Sequence, residues 1–204
     1  MFYELNTLSW PLLLVGDAAR RAADWFGQTF ICGEILGWWR TESGPLGRVL
    51  LLRSFETAEC IAAAREWVLL NKEPLGGGDV ITGFEMASYS PFLFLPAVRP
   101  GHRGAVYEFR TYRLKLGGLP PALAGWRDAV VKAGEDAEHL VTNMYKRDGA
   151  PRITHIWAFE SLEQRGRQRA SAYDAGVWPR VFGPDEILEA TSMIGLPEAF
   201  SQLH

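Results

Sequence analysis

The sequence predicts an α+β fold in which two β-α-β-β-α-β units follow one another and pack their antiparallel sheets into a single barrel-like arrangement. Three observations carry this. Phe2-Tyr3-Glu4-Leu5-Asn6-Thr7-Leu8 lines up with Val106-Tyr107-Glu108-Phe109-Arg110-Thr111-Tyr112 at an offset of 104 residues. The same offset aligns Arg48-Val49 with Arg152-Ile153, Ser54-Phe55-Glu56-Thr57 with Ala158-Phe159-Glu160-Ser161, and Ser88 with Ser192. A Pro- and Gly-bearing stretch, 96–104, separates the copies. Self-similarity this long marks a repeated structural unit, so the expected organisation is a first unit at 1–95, a linker at 96–104 and a second unit at 105–204.

In the second unit, Val106 to Leu114 alternates as a strand: Glu108, Arg110 and Tyr112 share one face, Tyr107, Phe109 and Thr111 the other. Gly117-Gly118 ends it, and Pro120-Pro121 opens a helix that places Leu119, Leu123, Trp126 and Val130 at helical spacing. Leu140 to Lys146 and Arg152 to Phe159 are strands around the turn Arg147-Asp148-Gly149-Ala150-Pro151. Ser161-Leu162-Glu163-Gln164 reads as a capping box for a second helix. Pro179 and Pro184 interrupt the chain before a last strand, Ile187 to Ile194.

The first unit gives the same order. Phe2 to Trp10 is a strand, and Asp17 is positioned to cap a helix with Ala18, Ala22, Trp25 and Phe26 inward. Ile35 to Thr41 and Arg48 to Phe55 are strands joined through Ser43-Gly44-Pro45. Thr57 to Lys72 is helical with Ile61, Ala64 and Val68 inward. Gly76-Gly77-Gly78 then leads into a strand at Val80 to Tyr89. The Gly run lacks the Lys and Ser/Thr of a phosphate loop and reads as a plain connection. Each unit is thus a ferredoxin-like split βαβ arrangement. Its sheet has one face covered by helices and one bare, and two units cover each other's bare faces. A ligand would lie between the sheets.

Composition narrows the function classes. The 204 residues carry a net charge of −3, without the basic bias of a nucleic-acid footprint. Four Lys among 21 basic residues, with abundant Gly, fit a GC-rich bacterial source. Cys32 and Cys60 have no ligand-type spacing, so two reduced thiols are expected rather than a disulfide or zinc site. The first strand begins at Phe2, and the early apolar run Trp10 to Val15 is too short to span a bilayer. A cytoplasmic protein without membrane partners is expected.

Tyr107-Glu108-Phe109-Arg110-Thr111-Tyr112-Arg113-Leu114-Lys115 resembles the opening Y-E-L-R-x-Y-x-L-K strand of the NIPSNAP family. Ile153-Thr154-His155-Ile156-Trp157-Ala158-Phe159-Glu160-Ser161 is similar to that family's V-x-H-L-W-x-Y-x-S segment. Thr41-Glu42-Ser43-Gly44-Pro45-Leu46 is similar to its T-E-I-G-P-L turn. The resemblance implies the dimeric α/β-barrel superfamily, formed here within one chain. It implies no particular reaction, since related barrels include cofactor-independent monooxygenases, haem enzymes and binding proteins.

The halves differ where chemistry is expected. Arg110, Tyr112, His155 and Trp157 of the second correspond to Asn6, Leu8, Leu51 and Arg53 of the first. His155 lies mid-strand on one face with Ile153 and Trp157, suited to proton transfer near neutral pH, or to packing as a satisfied core histidine. Arg110 is the candidate anion clamp and Tyr112 the hydrogen-bond donor, while Glu108 needs a cation partner or a wet lumen. Trp157 would add an apolar wall. Arg165, Arg167 and Arg169 alternate along a helix and read as solvated, and His102, His139 and His204 as exposed.

No catalytic triad or metal-binding motif appears, so no metal and no cofactor is expected; haem would need His155 as axial ligand in a large pocket. The expected function is binding of a small, partly apolar molecule between the sheets, with cofactor-independent acid–base or oxygenase chemistry as the catalytic version. The alternative is an interaction module with a side-chain-filled barrel, which a cavity of roughly 300 Å³ or more would argue against. Two such barrels could pair into a homodimer.

Overall fold

Alternation along the strands sorts the side chains onto two surfaces, and that sorting builds the molecule. The computed structural model describes residues 1–28, 32–76, 80–133, 138–176 and 184–204. Its elements are β1 (Phe2–Ser9), α1 (Val15–Gln28), β2 (Glu34–Ser43), β3 (Arg48–Phe55), α2 (Ala58–Leu70) and β4 (Gly83–Pro91). The order recurs in β5 (Val106–Leu114), α3 (Leu119–Ala133), β6 (Leu140–Lys146), β7 (Arg152–Phe159), α4 (Leu162–Asp174) and β8 (Ile187–Pro197).

All eight strands close into one antiparallel barrel in the order β1-β3-β2-β8-β5-β7-β6-β4. Each half contributes a four-stranded ferredoxin-like sheet, β4-β1-β3-β2 and β8-β5-β7-β6. The two sheets are therefore joined edge to edge at two seams, β2–β8 and β4–β6, as well as face to face. Closure removes the free edges that would template association with another chain. At the β2–β8 seam the backbones approach closely because Gly195 has no side chain; a Cβ there would lie 2.9 Å from Trp39 Cβ.

Facing inward are Tyr3, Leu5, Leu50, Leu52, Trp39, Tyr107, Phe109, Met144, Ile156 and Ala158, a core drawn from both halves. The outward faces take the helices. Leu8, Trp38, Val49 and Leu51 pack against Val15, Ala18, Ala19, Ala22 and Phe26 of α1. Tyr112, Leu114 and Ile153 meet Trp126 of α3, with Leu119, Leu123 and Val130 alongside. The linker and the C-terminal tail close the barrel end near Tyr3 and Tyr107. Val98 N–H donates to Tyr3 Oη at 2.9 Å, Gly101 bridges Leu203, and Leu203 is fully buried.

Local signals act as expected at the second helix of each half. Thr57 and Ser161 cap α2 and α4, accepting from the backbone N–H groups of Cys60 and Gln164. Asp17 differs. A short 3₁₀ turn at Leu12–Leu14 runs into α1, so the helix begins at Val15 and Asp17 lies in its first turn. There its charge favours the helix N-terminus without capping it. Residues 77–79 and Pro179 lie outside the described residues.

Candidate functional site

The inward residues change character along the barrel axis. Around Trp39, Tyr107 and Phe109 the interior is filled: the indole of Trp39 lies 5.1 Å from the Tyr107 ring and 5.2 Å from that of Phe109. Toward the opposite end the inward positions turn small and polar, and a cavity of about 520 Å³ opens there. Its depth is lined by Leu5, Ala87, Tyr89 and Met193, its outer part by Thr7, Thr111, Thr191 and the charged residues below. Eight strands leave room for side chains or one small ligand, and this barrel does each at one end.

The cavity lining is built from positions 104 apart: Thr7 with Thr111, Arg48 with Arg152, and Glu85 with Glu189. Glu85 pairs with Lys146 at 3.8 Å and Glu189 with Arg113 at 3.0 Å. Among the described residues, neither Arg48 nor Arg152 has a carboxylate within ion-pair distance, so the lining holds uncompensated positive charge. At the inner wall Thr111 Oγ1 lies 3.0 Å from Thr154 Oγ1, which donates to Tyr89 Oη at 3.2 Å. Burial raises the Tyr89 pKa above its ordinary value, so the phenol keeps its proton at neutral pH. Because Tyr89 accepts from Thr154, that proton is left for a bound molecule.

The five residues singled out by the sequence, Glu108, Arg110, Tyr112, His155 and Trp157, lie on the other surface of the same sheet, facing α3 and α4. Pairing of β5 with β7 sets Arg110 opposite His155 and Glu108 opposite Trp157, so the structure does bring all five together. It does not place them in the lumen. The reason is parity: β5 turns its odd-numbered residues inward and β7 its even-numbered ones.

His155 is buried between Tyr112 and Trp126, with ring centroids at 4.9 and 4.8 Å. Trp157 Nε1–H donates to His155 Nδ1 at 2.7 Å. Burial, reinforced by the Arg110 charge, pushes the imidazole pKa well below its ordinary value, so the ring is neutral at pH 7. An indole N–H only donates, so Nδ1 is the acceptor and the ring proton sits on Nε2. Nε2 is buried without a hydrogen-bond partner among the described residues. The geometry therefore offers a hydrogen-bond donor where a titrating acid/base was expected. The same placement keeps His155 from reaching a haem held in the lumen.

Glu108 is fully buried and receives Arg165 Nη2 at 2.7 Å, Ser192 Oγ at 2.6 Å and Arg169 Nη2. Arg110 Nε lies 3.7 Å from the same carboxylate. Burial alone would raise the pKa, but the Arg165, Ser192 and Arg169 hydrogen bonds outweigh it and hold the carboxyl at about 2. Arg165 and Arg169 were expected to be solvated. They are one turn apart, share the sheet-facing side of α4, and only Arg167 projects outward, to Glu163. His139 also departs from expectation: its Nδ1 lies 3.1 Å from Ala158 O and its ring packs on Phe159.

Among the described residues no group of three His, Cys, Asp or Glu could hold a metal ion, and no helix is long and apolar enough to cross a membrane. Cys32 and Cys60 are unbonded thiols, with Cys32 Sγ 3.1 Å from Cys60 O.

Residues 107–202 match the sequence profile of the NIPSNAP family. A NIPSNAP family protein of unknown function from Agrobacterium tumefaciens str. C58 is 34% identical over 51% of this chain and 97% of its own, with a TM-score of 0.39. A candidate monooxygenase from Fusobacterium nucleatum subsp. nucleatum superposes with a TM-score of 0.65 over 96% of this chain and 91% of its own at 8% identity. An anthrone oxidase-like protein gives 0.62 over 98% and 93% at 11% identity. Among curated proteins, none matches the chain. The last two likenesses are of backbone, a dimeric α/β-barrel fold.

Proposed function

The chain belongs to the NIPSNAP family, and from that premise we propose that it binds one small, partly apolar molecule with an anionic head in the open end of its barrel. The carrying observation is the cavity of about 520 Å³, well within the range of small-molecule sites. Leu5, Ala87 and Met193 offer apolar surface to the body of the molecule, and Arg48 and Arg152 offer charge to its head. The Tyr89 hydroxyl, oriented by Thr154 and Thr111, is positioned to donate to a carbonyl or ether oxygen.

This lining offers hydroxyls, guanidiniums and the carboxylates of Glu85 and Glu189, which are paired with Lys146 and Arg113, and among the described residues no imidazole or thiol. It supports recognition; an oxygenation or proton transfer would draw on the reactivity of the bound molecule itself. The backbone likeness to a candidate monooxygenase and to an anthrone oxidase-like protein, at 8% and 11% identity, assigns no reaction. An interaction module with a filled barrel is disfavoured by the open half of the lumen.

A thermal-shift panel of small aromatic and branched aliphatic carboxylates tests the reading. At about 100 times its dissociation constant a ligand adds ~2.7 kcal/mol and should raise the midpoint by roughly 5–10 °C. That rise should shrink in Thr191→Phe, which sets a ring across the outer part of the cavity. A ligand-induced rise that survives Thr191→Phe unchanged would move the site out of the lumen.

A further inference from the structure

We infer that the opposite surface of the second sheet carries a separate oxyanion site, formed by Arg110, Arg165 and Arg169 around Glu108. Three guanidiniums converge there on one carboxylate. Among the described residues no second acid lies within ion-pair distance of any of the three, so two positive charges are left over. Their Nε atoms are buried without partners, as is His155 Nε2 close by. The guanidinium side chains keep 19%, 27% and 21% exposure, so the cluster is reachable from solvent. Glu108 can take at most one of the remaining donors. Its Oε1 already takes Arg165 and Ser192, and its Oε2 takes Arg169.

The first half supplies an internal control. Glu4, 104 positions before Glu108, takes Arg65 Nε at 2.7 Å, and Arg65 is the counterpart of Arg169. A tie between the first-strand Glu and this Arg of the second helix therefore recurs in both halves. In the first half Arg65 also reaches Asp148 at 3.6 Å, and the other cation near Glu4, Arg53, donates to Cys32 O at 2.8 Å. The positions of Arg110, Arg165 and His155 are held there by Asn6, Ile61 and Leu51. Arg110, Arg165 and the His155 donor go beyond that tie. Like charges held this close in a partly buried setting repel strongly unless a counter-charge sits among them. A carboxylate or phosphate-type oxyanion carrying up to two negative charges meets both the charge and the unused N–H donors.

The first half also supplies the test, because its own residues show what the fold accepts in these places. Inorganic phosphate, titrated at constant ionic strength against chloride, should raise the wild-type thermal midpoint by about 3–6 °C at roughly ten times its dissociation constant. In Arg110→Asn/Arg165→Ile, checked as folded by circular dichroism, the rise should disappear; its phosphate-free midpoint is set by the lost Arg165–Glu108 hydrogen bond against the repulsion relieved, so each protein is read against its own phosphate-free midpoint. Thr191→Phe should leave the phosphate response intact, which separates this site from the lumen. No response beyond chloride in the wild type, an equal response in the double variant, or a response abolished by Thr191→Phe would each overturn the inference.

Discussion

Arg48 and Arg152 occupy matching positions in the two halves, 104 residues apart, and both line the same cavity. Each opens the third strand of its half and turns inward, and neither has a carboxylate partner among the described residues. The barrel thus gathers its lumen chemistry by bringing equivalent positions of two units to one end. Removing one of these guanidiniums should weaken an anionic ligand by about 10- to 100-fold, the worth of one charge-assisted hydrogen bond of ~1.5–3 kcal/mol. Arg48→Ala and Arg152→Ala should do so to similar extents, read by calorimetric titration. Their thermal midpoints without ligand should stay near wild type, since neither closes an ion pair.

Glu108 should dominate the acid end of the stability profile. Its folded pKa of about 2 lies below its ordinary value of 4.5. The unfolded chain therefore binds more protons between those values, so the contribution is complete above about 4.5 and lost as pH falls through about 2. Its size is on the order of 3 kcal/mol. Glu108→Gln should lose that much at pH 7 and should lack the wild-type slope between pH 4.5 and 2 in acid unfolding followed by circular dichroism. An unchanged slope would show that the carboxylate titrates elsewhere than in this ion cluster.

His155 predicts a second window at higher pH. Its folded pKa is depressed by burial and by Arg110, so below about 6.5 the unfolded chain takes up a proton that the folded imidazole does not. Stability should fall as pH drops from 6.5 toward the folded pKa. In His155→Phe the difference between urea midpoints at pH 7.5 and pH 5.0 should shrink. The same variant should cost about 1–3 kcal/mol at pH 7.5, because Trp157 Nε1–H loses its acceptor.

Gly195 should be intolerant of a side chain. A Cβ there would meet Trp39 Cβ at 2.9 Å and the Phe109 ring at 3.1 Å, on a seam that closes the barrel. Gly195→Val should destabilise by about 1–3 kcal/mol in chemical denaturation. Gly166, in α4 with nothing within 4 Å of its would-be Cβ, is the matched control. Gly166→Ala should stabilise by about 0.5–1 kcal/mol.

Strands and helices were legible because periodicity and caps are local: Arg48–Phe55, Leu140–Lys146 and Arg152–Phe159 fall where alternation and turn residues place them. Which face of each strand looks inward was not legible, because parity depends on how two sheets close on one another. That one undetermined choice put His155 and Arg110 against the helices instead of in the lumen. A signal for the lumen did exist. Thr7/Thr111, Arg48/Arg152 and Glu85/Glu189 are polar pairs at the repeat offset, whereas the positions where the halves differ lie on the helix-facing surface. Arg165 and Arg169 were likewise recoverable, since residues four apart on a helix share a face.

The most direct measurement is a fluorescence titration with 1-anilinonaphthalene-8-sulfonate, an apolar anion small enough for a cavity of about 520 Å³. Wild type should bind one equivalent, and both Arg48→Ala/Arg152→Ala and Thr191→Phe should bind more weakly, the double variant by at least tenfold, with all three folded by circular dichroism. Equal binding by the three proteins would contradict a ligand site in the open end of the barrel.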